Sequence, residues 1–228
     1  MKKALGLALT AAMLVSQAVP CFAAGKLEVT QENFHIFGNY AYAYARVENT
    51  GDRPIKIQAG ILEVFDAEGE NITSADYINS FGSILQPEEY TYVSMYVSLD
   101  DSQVAEVDDY MLTVTGKSDL DYTTTRFAVE PDFQKDVQDG YWNYDYMYGK
   151  VTNETDETVY NMQVGLALLD DEENILYLDS SSLYNYGIEP GSAVTYRTSL
   201  YDTYKEALEK EGLTATHVDA VAYTDSYN

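Results

Sequence analysis

The sequence predicts an all-β chain: two antiparallel β-sandwich domains in tandem, with one short helix in the second. Three observations carry this. The segment Ala45–Ile72, ARVENTGDRPIKIQAGILEVFDAEGENI, returns 104 residues later and without a gap as Gly149–Leu176, GKVTNETDETVYNMQVGLALLDDEENIL. Apolar residues in and around both copies alternate with period two, in runs rich in tyrosine and β-branched residues. The short runs are separated by regularly spaced polar turns and show no strand–helix–strand rhythm, as an antiparallel sandwich requires.

The elements follow in order. Residues 1–24 are read as a signal peptide that is removed: MKK is a basic start, ALGLALTAAMLV an apolar run, and CFAAG supplies small residues for cleavage near Ala23–Ala24. The apolar run is short for a membrane-spanning helix. Cys21 as a lipid-modified cysteine is the alternative, and Pro20 fits that site poorly. The first sandwich is expected over 25–129 and the second over 130–228, with the boundary near Pro131. Each copy runs strand, polar turn (NTGDRP or NETDET), long strand, acidic turn (DAEGEN or DDEENI) and strand. A proline turn and strand follow, LQPEEYTY in one copy and IEPGSAVTY in the other, and then a closing strand, YMLTVTG or VDAVAYT. Asn and Asp in such turns bond their own backbone. Tyr201–Leu213, YDTYKEALEKEGL, breaks the pattern: Leu208 lies four residues after Tyr204, Glu206 and Lys210 pair at the same spacing, and Gly212 stops the helix.

Charge and cysteine restrict the function. The chain has 13 basic and 38 acidic residues; loss of Lys2 and Lys3 with the leader leaves a net charge of −27. Nucleic acid and anionic lipid are repelled, so neither is expected as a partner, and no membrane insertion is expected after cleavage. With Cys21 removed, no thiol remains for disulfides, thiolate metal sites or nucleophilic catalysis. A secretory leader places the protein outside a bacterial cell or on its surface. No hydrophobic tail follows AYTDSYN, so attachment to a wall would be non-covalent.

The pattern V-x-N-x-x-D, followed by LEVFD-AEG and LQPEEYTY, resembles the FxLYD-type domain of exported bacterial proteins. The matching positions are Leu62, Val64, Phe65 and Asp66 in the first copy and Leu166, Leu168, Leu169 and Asp170 in the second. Gly191 keeps the glycine that follows proline in that family, Glu88 replaces it in the first copy, and neither copy has the motif tyrosine. The resemblance implies an immunoglobulin-like β-sandwich and brings no activity with it.

Tyrosine supplies the candidate site. There are 22 tyrosines; NYAYAYARV sets Tyr40, Tyr42 and Tyr44 on one side of a strand, and WNYDYMYGKV sets Trp142, Tyr144, Tyr146 and Tyr148 on one side of its counterpart. Arg46 and Lys150 continue the aromatic side, which argues that it faces water at that end. Three uses are open: cross-strand pairs that cover the sheet, packing between the two domains, or a platform for sugar rings or an extended peptide, for which Tyr and Trp are well suited. Asn143 and Asp145 would then point inward, and a bulge that switches faces would avoid this.

No catalytic residue and no cofactor emerge. His35 and His217 have no metal-binding partner spacing, no Gly-x-Ser-x-Gly elbow or phosphate loop is present, and carboxylate pairs are too common to single one out. Asp100, Asp101, Asp108, Asp109, Asp119 and Asp121 make acidic loops in which calcium is the alternative to plain solubility, but no EF-hand loop exists and no metal ligand is assigned. The expected function is a secreted, non-catalytic binding or interaction protein whose partner is a surface polysaccharide or an extracellular protein. An accessory domain or subunit of an extracellular carbohydrate-active enzyme, or a structural spacer, is the alternative.

Overall fold

A computed structural model of the chain describes residues 25–118, 122–183 and 186–227. The leader with Cys21, and Asp119 and Asp121, lie outside the described residues. The first copy contains β1 (Leu27–Phe37), β2 (Tyr40–Asn49), β3 (Ile55–Phe65), β4 (Asn71–Ala75), β5 (Asn79–Ser80), β6 (Ile84–Leu85), β7 (Tyr90–Ser98), α1 (Asp101–Glu106) and β8 (Asp109–Lys117). The connecting strand is β9 (Tyr122–Phe127), and the second copy contains β10 (Val129–Asp139), β11 (Trp142–Thr152), β12 (Met162–Leu169), β13 (Ile175–Leu183), β14 (Ala193–Ser199), α2 (Asp202–Glu211) and β15 (His217–Tyr227). All strand pairs are antiparallel, and the fold is an all-β sandwich architecture.

The sheets stack in four layers. The first outer sheet holds β4, β3, β6 and β8; the first inner sheet is β1-β2-β7-β5; the second inner sheet is β13-β12-β15-β9; the second outer sheet is β10-β11-β14. Alternation along β2 decides the first contact: Ala41, Ala43, Ala45 and Val47 are fully buried and pack toward Ile55, Ile57, Leu62 and Val64 of β3. The other side of β2 turns toward the second inner sheet, where Tyr44 and Tyr92 join one continuous core with Leu166, Leu168 and Val221. The strand β12 is therefore covered on both faces, which is why MQVGLALL is almost wholly apolar while β3 alternates.

Comparison of the copies locates the junction. Ile61, nearly half exposed on the first outer sheet, corresponds to Gly165, and Glu63 corresponds to Ala167. A Cβ added at Gly165 would lie 2.1 Å from the Phe81 ring, so the ring occupies the space that a side chain would need. Phe81 is fixed there by Tyr92, whose carbonyl accepts from the Phe81 amide, and by Thr91, whose hydroxyl donates to the Phe81 carbonyl.

The repeated turns use repeated bonds. Asn49 and Asn153 are fully buried; the Asn49 amide donates to the carbonyls of Arg53 and Leu85, and the Asn153 amide to those of Glu157 and Ile188. Asp66 accepts from the amides of Glu68 and Glu70, and Asp170 accepts from those of Glu172 and Asn174. Glu88 has φ 69° where Gly191 has φ 73°, so the turn demands a left-handed residue in both copies and the first meets it with a strained glutamate.

Two features differ from the sequence reading. Residues 122–127, placed before the boundary, pair with β15 and so extend the second inner sheet. A second helix, α1, forms in the acidic loop of the first copy, because Asp100 caps it through the amides of Ser102 and Gln103 while the Gln103 side chain accepts from the Asp100 amide.

Gly165→Ala is expected to destabilise the fold by about 1–3 kcal/mol through overpacking, read as the urea midpoint. In a Phe81→Ala background the same change should cost much less, because the two sites share one space.

Candidate functional site

The two aromatic rows meet different fates. In the first copy Tyr44 is 2% exposed between the inner sheets. Tyr42 is half-buried, and its hydroxyl lies 3.2 Å from that of Tyr204 on α2. Tyr40 emerges at the rim against Tyr96, with ring centroids 6.1 Å apart. The same junction ties the Tyr90 and Tyr92 hydroxyls to Asp219 of β15 at 2.7 and 2.8 Å. The expected helix is α2, and it closes one end of this junction: Tyr204 packs edge-on to Phe37 at 4.6 Å and against Tyr177 at 5.0 Å. Arg46, used in the sequence to argue for water, stacks instead over the Tyr90 ring at 3.8 Å. The arginine lies on the aromatic side yet serves the interlayer packing.

In the second copy the row lies on the outer side of the second outer sheet. Asn143, Asp145, Met147 and Gly149 take the other side of β11, where Met147 and Asp145 are buried. No face switch occurs on β11. The inward Asp145 carboxylate is met by Lys205 Nζ at 3.0 Å and by the Asp136 amide at 2.9 Å. The bulge lies in the neighbouring β10, between Gln134 and Val137, and presents that amide with Asp136 at φ 52°.

On the outer side Tyr144, Tyr146 and Tyr148 follow one another with centroids 5.6 and 5.9 Å apart. Trp142, 70% exposed, ends the row beside the Gly140–Tyr141 turn, and Tyr141 is fully exposed. Tyr146 at the centre is itself covered, by its two neighbours and by Arg197, whose guanidinium carbon sits 4.3 Å from the ring centroid. Its hydroxyl donates to Asp139 at 2.9 Å, and Arg197 reaches the same carboxylate at 3.5 Å. Desolvation and the bond to Asp139 push the Tyr146 hydroxyl above its usual range. Lys150 pairs with Glu130 at 3.0 Å on the same side. The outward side thus presents exposed Trp142 and partly exposed Tyr144 and Tyr148, with the Arg197–Asp139 pair among them. Arg197 and Asp139 were missed in the sequence, because only the pairing of Tyr148 with Arg197 and of Trp142 with Asp139 brings them to the row.

His35 is buried, with Nε2 2.9 Å from the Ile175 carbonyl and Nδ1 3.5 Å from Glu211, and so bridges the two copies. His217 is a half-exposed partner of Glu173 at 3.3 Å. Among the described residues no three His, Cys, Asp or Glu side chains converge as a metal ion would require. No helix among them is long and apolar enough to cross a membrane.

No family model matches the chain, and no curated protein matches it. Among solved structures, the crystal structure of red sea bream transglutaminase matches at 13% identity over 87% of this chain and 30% of that one, with a TM-score of 0.23. A likeness so slight carries no argument.

Lys205→Met should lower stability by about 1–3 kcal/mol by leaving a buried carboxylate short of a partner, and Asp145→Asn added to it should restore part of the loss. Burial and the bond to Asp219 raise Tyr90 to about 12; burial and the Asp179 charge raise Tyr196 to about 12; Tyr42, Tyr44, Tyr92 and Tyr177 are pushed up as well. Folded values above the unfolded value of about 10 give stability that is complete below that pH and is lost as pH rises toward 12. Tyrosinate absorbance should therefore show a late step that coincides with unfolding. Full ionisation below about pH 11 with the fold intact would contradict this.

Proposed function

We propose that the protein is a secreted, non-catalytic binding protein of a bacterial cell exterior, and that the outward aromatic row of the second copy is its ligand-binding surface. The observation that carries this is the contrast between the copies: the same row is built twice, the first runs into the interlayer junction, and the second lies on an outer face, with Trp142 exposed and Tyr144 and Tyr148 partly so around a covered Tyr146. A chain of sugar rings suits it best. Flat rings stack on Tyr and Trp faces with little loss of side-chain freedom, while Arg197 and Asp139 offer a donor and an acceptor to hydroxyls. The net charge of the chain favours a neutral glycan over an anionic one. The leader and the resemblance to FxLYD-type modules support export.

The test is co-sedimentation of the mature protein with cell walls and insoluble neutral polysaccharides. Trp142→Ala and Tyr148→Ala should each weaken retention about tenfold, the worth of one ring stack, with little change in melting temperature. Tyr42→Ala should do the reverse, lowering the melting temperature and sparing retention. No retention on any polysaccharide would sink the glycan reading and leave an extracellular protein as the partner, to be sought by crosslinking.

A further inference from the structure

The second outer sheet ends at β14, which is paired on one side: among the described residues no strand meets its other edge. The Leu200 amide donates to the Asp145 carbonyl, and the Ser192 carbonyl accepts from the Asn153 amide. Bonding alternates along an antiparallel pair, so the even-numbered residues of β14 bond to β11. Ala193, Thr195, Arg197 and Ser199 turn their amides and carbonyls toward the unpaired edge.

The first copy fills the same edge with its own chain. There β5 pairs with β7 at Val93 and Ser94, and the Phe81 amide donates to the Tyr92 carbonyl. With Pro87 aligned on Pro190, Tyr92 and Ser94 correspond to Thr195 and Arg197. In the second copy β13 instead stays with β12 to its end, where Leu183 pairs with Met162. The long edge strands β1 and β10 are guarded by bulges and carboxylates, Glu28 and Glu32 on one and Glu130, Asp132, Asp136 and Asp139 on the other. The strand β14, AVTYRTS, has no register shift against β11, no proline and no carboxylate.

We propose that β14 pairs antiparallel with β14 of a second copy of this chain, forming a twofold dimer. One register uses all four edge residues: it sets Tyr196 opposite its counterpart, Thr195 opposite Arg197 and Ala193 opposite Ser199. The two arginines then do not face each other. Two three-stranded outer sheets become one sheet of six. The outward carboxylates of this sheet lie on β10, where Lys150 meets Glu130 and Arg197 meets Asp139. The two β10 strands stand five strand spacings apart, about 24 Å, beyond the screening length of about 8 Å. The net charge of each copy therefore opposes this contact little. The aromatic rows of the two copies come to share one face, three spacings or about 14 Å apart. The pairing does not rest on the glycan reading.

Sedimentation velocity of the full mature chain should show a monomer that gives way to a dimer as concentration rises and goes no further, because twofold pairing uses up the edge. Thr195→Pro removes an amide that β11 does not use. It should weaken the dimer at least about tenfold, the worth of one lost hydrogen bond from each copy, with the melting temperature nearly kept. Because the mature chain lacks Cys21, oxidation reads the register. Ala193→Cys combined with Ser199→Cys should give a disulfide-linked dimer, and Ala193→Cys alone should not; this holds even where the proline variant fails to fold. A chain that stays monomeric, assembly beyond the dimer, an unweakened Thr195→Pro dimer, or a crosslink from Ala193→Cys alone overturns the proposal. The first of these would leave the edge to an extended strand of another protein. No polysaccharide is present, so failure here is distinct from failure of the glycan reading.

Discussion

The structure depends on the closeness of the two inner sheets, and that closeness depends on what residue 165 lacks. Phe81 from the first copy fills the space over Gly165, and the tyrosines of β2 and β7 come down on a surface made small by glycine and alanine. Both neighbours of β12 follow from this. Its inner side packs on the second outer sheet, where Val164 and Leu166 lie close to Gly149, and its outer side is closed by the first copy. One core then runs through the junction, and tyrosine supplies the bulk that aliphatic residues supply elsewhere. The Tyr90 and Tyr92 hydroxyls share Asp219 as acceptor, so these two rings are packed in with their polar ends met.

The acidic character is put to structural use. Asp66 and Asp170 organise the same turn in each copy, Asp100 caps a helix, Asp145 anchors α2 through Lys205, and Asp179 accepts from Tyr196 and Thr198. Carboxylates that accept from backbone amides or hydroxyls within one turn or layer are spoken for, and they are spread over the surface rather than gathered at a point. The same economy separates the two histidines: one bonds across the junction, the other lies at the periphery.

Much of the fold was legible in the sequence. The repeat placed the turns, and the buried asparagines and turn aspartates bond as their residue types dictate. The helix at Tyr201–Leu213 was legible because it joins a spaced apolar pair to a glycine stop; α2 ends at Glu211, with Gly212 left-handed behind it. Alternation said which residues share a side of β2 and β11, but it is silent on what covers that side. Placing Arg46 toward water was reasonable for a lone strand, but the neighbouring strand β7 of the same sheet supplies the Tyr90 ring on which it stacks. A signal was present in the comparison of copies, where Gly165 and Ala167 replace Ile61 and Glu63, as a covered face requires. The polar half of the candidate surface was not legible at all, since Arg197 and Asp139 reach Tyr146 through cross-strand register rather than through spacing along the chain.

The strand β9, which precedes β10, is hydrogen-bonded into the second inner sheet. β9 is paired with β15 along its length, and β10 begins two residues after it ends. A tether of loose residues would let two modules swivel, and an effective concentration would describe how often they meet. Here the two copies instead share one core, in which Tyr44 and Tyr92 pack among Leu166 and Val221. A partner that touches both the outward aromatic row and the first copy would therefore meet two surfaces joined by packing rather than by a tether alone.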